Sequence, residues 1–197
     1  WADGDRLHVA NTGAPLTAAG VESLTAMRVS AKSDPGQVGR FGVGFNATAA
    51  VADRIEIRSG TGSMVFDKAK TADAVREAGI DADDVPVLRL AWPTDARPAD
   101  GHATEVVLHL RDGISASGLL ADLDRQAPDL LLELPALQSM WVGESRFVAI
   151  REVLSDESAT DALVHDALVS DALVTGEVAR RTHIRITRTG TPEPADR

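Results

Sequence analysis

Gly39-Arg40-Phe41-Gly42-Val43-Gly44-Phe45-Asn46 decides the reading of this chain, taken with Asn11-Thr12-Gly13-Ala14-Pro15-Leu16 upstream. Three glycines between Gly39 and Gly44 remove Cβ atoms where backbone must approach something closely. They also permit positive φ, so that successive N–H groups can turn toward one point. The stretch from Phe45 to Ala52 is Ala-rich and free of Gly and Pro, which predicts a helix starting at the loop. A glycine loop feeding a helix N-terminus offers unpaired amides and the positive end of the helix dipole, a combination suited to phosphate. The spacing G-x-x-G-x-G is not the dinucleotide fingerprint, and the Lys-Ser/Thr ending of a P-loop is absent. A glycine cluster ahead of a helix is also a common tight connection, so the neighbouring residues must decide.

Upstream, Asp3-Gly4-Asp5 signals a turn, and Leu7 and Val9 alternate with His8 and Ala10 in a short strand. The strand runs into Asn11-Thr12-Gly13. Asn11 can cap the turn through its own backbone, or its amide can face a ligand base to which Gly13 gives room. Thr17 to Met27 predicts a helix with Val21, Leu24 and Met27 on one side. Ser30 to Gly36 is polar and turn-rich, a loop predicted to cover whatever the glycines bind, and it carries Lys32 within reach of a phosphate.

In this order and spacing, Asn11-Thr12-Gly13, then Ala31-Lys32-Ser33, then Gly39 to Phe45 and Val51-Ala52-Asp53-Arg54-Ile55-Glu56-Ile57, resemble the GHKL superfamily of ATPases. Within it the match is similar to the branch of the ninety-kilodalton heat-shock chaperone and the related sacsin-type domains. The resemblance covers about Leu7 to Leu110. It implies an α+β Bergerat fold, a two-layer sandwich with helices on one face of a mixed, mostly antiparallel sheet. It also implies ATP held between helices and a lid loop, with magnesium in the full-length protein and protein clients as partners. By position it assigns Asn11, Gly13 and Thr104 to the adenine, Lys32, Gly39, Gly42, Val43 and Gly44 to the phosphates with Phe45 packing beside them, and Leu16 to the nucleotide site. Two residues depart from the family's D-x-G-x-G pattern. Asn11 stands for the carboxylate that accepts from the adenine amino group, a weaker acceptor than a charged one, and Pro15 stands for the second glycine. The catalytic Glu and the magnesium-binding Asn of these ATPases lie on an early helix that would precede Trp1. No catalytic residue or metal ligand is therefore assigned, and little hydrolysis is expected from this chain. A degenerate module that kept the fold and lost the nucleotide is the alternative; a sensor-kinase or DNA-repair role fits the Ala31-Lys32-Ser33 loop and the acidic charge less well.

Beyond the motif, Arg54 to Ser59 and Ser63 to Asp67 predict a β-hairpin around Gly60-Thr61-Gly62. Thr71 to Ala78 predicts a short helix, Asp81 to Asp84 an acidic loop, and Val87 to Trp92 a strand ended by Pro93. Thr104 to Leu110 predicts a strand with Val106, Leu108 and Leu110 on one face. His109, like the other histidines, stands outside metal-ligand spacing and reads as an ordinary strand residue. Ser117 to Ala127 predicts a helix broken by Pro128, with another over Asp129 to Leu137. Met140 to Val142 and Arg146 to Ile150 predict strands around Gly143. A repeat follows, Asp-Ala-Leu-Val beginning at Asp161, Asp166 and Asp171. Its five-residue period advances about 140° per copy on a helix, so its leucines spiral and make no stripe. It reads as a low-complexity insertion, helical or loose. Thr182 to Arg188 predicts a last strand. The expected division is residues 1–112 as a partial ATP-binding domain, 113–189 as an α/β extension and 190–197 as a disordered tail.

The 197 residues carry a net charge of -10 with 44% hydrophobic and 25% charged side chains, enough for a domain with a sizeable core. Such acidity disfavours a broad nucleic-acid surface and docking on anionic membrane. No apolar run approaches the ~18 residues of a spanning helix. With no cysteine, disulfides and thiolate metal sites are excluded. Cytoplasm is the expected compartment by default. The chain opens on Trp1 and enters a strand pattern at once, as an excerpt of a longer protein would.

Overall fold

A computed structural model describes residues 1–25, 43–88, 90–134, 136–154, 162–174 and 177–189. The chain divides into two compact units, Trp1–Leu119 and Leu120–Arg197; the sequence places that division at residue 112. The fold is α+β, as the sequence predicts. Every pairing among the described strands is antiparallel.

The first unit contains β1 (Ala2–Asp3), β2 (Arg6–Asn11), α1 (Ala18–Thr25), α2 (Val43–Asn46), a 3-10 turn (Ala47–Ala50), β3 (Ala52–Ser59), β4 (Ser63–Asp67), α3 (Lys68–Glu77), β5 (Ala91–Thr94) and β6 (Thr104–Leu110). Its strands form one sheet in the order β1-β2-β6-β3-β4-β5. Registration sets Leu7, Leu108, Ile55 and Phe66 in one row across four strands. All four are buried, and Phe45 of α2 lays its ring 6.1 Å from Phe66. The row on the opposite face is His8, Val107, Glu56 and Val65. Simple alternation predicts that this second face meets water, but all four are buried there too. Trp1 stacks on His8 with centroids 4.8 Å apart, and the loop before β6 ties down at Ala99, whose N–H donates to Glu105 at 2.8 Å.

Three local departures have physical causes. The helix expected over Phe45 to Ala52 is a single α-turn followed by the 3-10 turn. Thr48 Oγ1 donates to the Phe45 carbonyl at 2.6 Å, and Val51 N–H then closes on Thr48 at 3.1 Å, an i to i+3 bond that tightens the winding. The strand expected over Val87 to Trp92 is instead Ala91–Thr94 and contains Pro93; β5 is the sheet edge, where a missing N–H donor is tolerated. α3 begins at Lys68 because the Asp67 side chain caps it, accepting from Lys70 N–H.

The second unit is built from α4 (Ala116–Glu133, which starts just before the division), β7 (Ser139–Val142), β8 (Ser145–Leu154), β9 (Ala162–Val174) and β10 (Glu177–Thr189), the strands in the order β10-β9-β8-β7. Pro128 does not break α4, contrary to the sequence expectation. Ala127 and Leu131, one turn apart, are fully buried with Val142 and Phe147. That packing outweighs the ~3 kcal/mol an interior proline costs a helix. From Ala162 on, the Asp-Ala-Leu-Val repeat is neither helical nor loose: it is β9, paired on both edges. A spiral of leucines offers a helix no face to bury, whereas two ladders satisfy the backbone of a central strand. Residues 190–197 lie outside the described range.

Candidate functional site

The residues assigned to adenine gather at one end of the first sheet. Asn11 and Thr104 are register partners between β2 and β6, and Thr104 is in turn the partner of Ser59 on β3. The Asn11 carbonyl accepts from Ala103 N–H at 2.8 Å, which fixes the strand end. The Asn11 side chain is exposed, with its Oδ1 3.7 Å from where a Cβ on Gly13 would stand. An acceptor oxygen therefore stands free of the sheet beside the residue expected to give a base room.

Leu16 is held at the same end from both sides of its peptide. Its N–H donates to Ser59 Oγ at 3.0 Å, and its carbonyl accepts from Thr61 Oγ1 at 2.6 Å. Ser59 Oγ donates to the Ala103 carbonyl at 3.1 Å. Ser59 is fully buried, so it works as a bolt between the segment after β2, the hairpin turn and the start of β6. Sequence reading missed Ser59 and Thr61, because a Ser and a Thr beside two glycines look like turn residues. The available signal was a small hydroxyl ending a strand whose other inward residues are isoleucines.

The phosphate side is less complete. Val43 and Gly44 open α2, and Phe45 packs its ring against Phe66. Lys32, Gly39 and Gly42 lie outside the described residues. Beyond Asn46, Arg111 reaches back over the 3-10 turn, donating to Ala49 and Ala50 carbonyls at 2.8 and 3.3 Å while pairing with Asp53 at 2.8 Å. It satisfies the turn's unpaired carbonyls. A cavity of about 380 Å³ opens there, lined among others by Asn46, Lys68, Val85, Leu88 and Arg111. A second, of about 360 Å³, shares Lys68, Asp84 and Val85 with it. Neither is lined by Asn11 or Thr104. Arg111 follows the last residue of β6 and Thr104 is its first, so the larger cavity lies on the order of 20 Å from the adenine-side residues.

The second face of the sheet carries a chain of charges that the sequence reading also missed. His8 Nδ1 lies 2.6 Å from Glu105 Oε1, and Arg58 reaches Glu105 at 3.7 Å and Glu56 at 2.8 Å. His109 Nε2 lies 2.9 Å from Glu56, and Arg54 joins Glu56 to Asp67. Burial alone would push the Glu56 carboxyl up; hydrogen bonds from Arg58, His109 and Arg54 outweigh it and hold the group down at about 2. His109 is thus part of a structural hydrogen-bond network, and its partner Glu56 comes from β3 and not from its own strand. Among the described residues no group of three or more His, Asp or Glu side chains is arranged to hold a metal ion, and no helix is long and apolar enough to cross a membrane.

The chain matches no known protein-family signature and no characterised protein.

Proposed function

We propose that the first unit is an ATP-binding domain of GHKL type, belonging to a chaperone-like protein of the heat-shock and sacsin kind. The observation that carries this reading is the register pairing of Asn11 with Thr104 at one sheet end, beside a Leu16 peptide bolted in place by Ser59 and Thr61. Residues from three separated stretches thereby meet at one sheet end, where Asn11 carries an exposed amide oxygen, the group an adenine amino donor needs. In this reading Asn11 accepts from the adenine, Thr104 and Leu16 frame it, and Lys32 with the amides from Gly39 to Gly44 takes the phosphates. Binding energy then orders the Ser30 to Val38 segment as a lid, the step by which such a domain would shift a larger machine and its clients. Magnesium would come with the nucleotide.

Calorimetric titration of the 197-residue chain with ATP tests this. Saturable binding is expected, weakened about tenfold by Asn11→Ala, the effect of one lost hydrogen bond of about 1.4 kcal/mol, and abolished by Gly42→Trp. Absence of binding at millimolar ATP rejects it. A second reading, an interaction module that kept the fold without the nucleotide, is favoured by Asn11 and Pro15 where the family has Asp and Gly, and by cavities that bypass Asn11 and Thr104. Under that reading Gly42→Trp leaves ATP response and stability alike.

A further inference from the structure

The repeat in β9 is matched by its neighbours. Asp171 is in register with Arg146 on β8 and Arg180 on β10, and Asp166 with Arg151 and Arg185. Both flanking strands therefore repeat arginine at the same five-residue interval as the aspartates. Opposite charges directly across an antiparallel pair stabilise that registration, but a periodic match stabilises more than one.

Sliding β9 by five residues keeps the chemistry of most pairings, those of residues 146–151 on β8 and 177–185 on β10. Arg146 then meets Asp166 in place of Asp171. Phe147, Val148, Ala149 and Ile150 meet His165, Val164, Leu163 and Ala162 in place of Ser170, Val169, Leu168 and Ala167. On the other edge Arg180 to Ile184 exchange the same residues in the same way. Within that span only His165 for Ser170 changes residue type, and the sequence supplies one further aspartate, Asp161, for Arg151 and Arg185; residues 152–154 and 186–189 give up their β9 partners.

A slip by an odd number of residues also turns a strand over, which ordinarily moves its apolar set to the wrong side. Here it does not. An odd repeat sends successive copies to alternate faces, so even-numbered positions of β9 read Ala, Val, Asp, Leu, Ser, Ala, Val and odd-numbered ones Leu, His, Ala, Val, Asp, Leu. Neither set is the core set. The two connections exchange length, and loop-closure entropy varies slowly with length.

We propose that β9 pairs with β8 and β10 in two registers five residues apart, turning over between them. The chain has no cysteine, so disulfide trapping reads the register directly. Ala149 is the place to start: its N–H donates to Gln138 on the β7 side, which makes it a non-hydrogen-bonded partner toward β9, where Cα atoms approach within bridging distance. Under a thiol–disulfide buffer, Ala149→Cys with Leu168→Cys reports the register seen, and Ala149→Cys with Leu163→Cys the slipped one. Both pairs are expected to close, with equilibrium yields within about tenfold. Ala149→Cys with Ala167→Cys, one position off and on the opposite face, is expected to stay open. Asp171→Arg sets like charges against Arg146 and Arg180 only in the register seen, and should move yield from the first pair to the second. Closure of the 149–168 pair alone, with Asp171→Arg lowering it and no gain at 149–163, overturns the proposal. So does failure of both pairs, which would mean that the ribbon itself is not formed.

Discussion

At the scale of single residues, the first unit depends on polar groups buried on a face that alternation turns to water. Glu56 is the clearest. Its folded carboxyl is held at about 2 against an ordinary 4.5, so the folded state binds fewer protons than the unfolded one between those values. The stabilisation is therefore complete above about pH 4.5 and is lost as pH falls toward 2. Arg54 is partly exposed, which screens the network, and the contribution is on the order of 2 kcal/mol. Urea titrations of the native chain and Glu56→Gln are expected to differ by that amount at pH 6 and to converge by about pH 2. A difference independent of pH would mean that the carboxylate charge is not what Arg54, Arg58 and His109 stabilise. Ser59→Ala is the second test at this scale. It leaves the half-buried Leu16 N–H without its acceptor, a loss of about 1 kcal/mol. Hydrogen exchange of the Leu16 amide should accelerate with it, while the Phe66 amide on β4 changes only through global stability.

At the scale of elements, local chemistry was legible and contextual chemistry was not. The hairpin around Gly60 to Gly62 and the strand Thr104–Leu110 follow from alternation and glycine placement alone. So does the β7–β8 turn, where Val142 pairs with Ser145 and Gly143 sits at φ 58. Any side chain there is strained in the left-handed region, so Gly143→Ala should cost about 1–2 kcal/mol of second-unit stability. Gly118→Ala, inside α4, should instead be neutral or stabilising. Loss of the Val142 and Phe147 core signals in denaturant reads both. What stayed illegible were the elements decided by distant partners. Pro128 survives in α4 because Ala127 and Leu131 have a core to enter, and the Asp-Ala-Leu-Val repeat from Ala162 on is a strand because β8 and β10 complete its ladders on both edges. No window around either segment contains that information. The adenine-side residues show the same split: Asn11 and Thr104 could be picked out by motif, but the Ser59 bolt that holds Leu16 beside them links positions 43 residues apart.

At the scale of the whole chain, the residues assigned to ATP all fall within Trp1–Leu119, while Ala127, Leu131, Val142 and Phe147 form a core of their own. A ligand stabilises only the cooperative unit that binds it, by about 2.7 kcal/mol when present at a hundredfold excess over Kd. If the nucleotide assignment is right, ATP at that excess slows native-state exchange about a hundredfold at amides that open only with the first unit, those of β6 and of β2 from Leu7 to Val9. Amides of Val142 and Phe147 should keep their rates. The same experiment on Gly42→Trp supplies the control, since its first unit should exchange identically with and without ATP. Uniform slowing across both units would show that the chain unfolds as one body. Slowing in neither, at saturating nucleotide, would leave the Asn11–Thr104 end as the join of a folded interaction module.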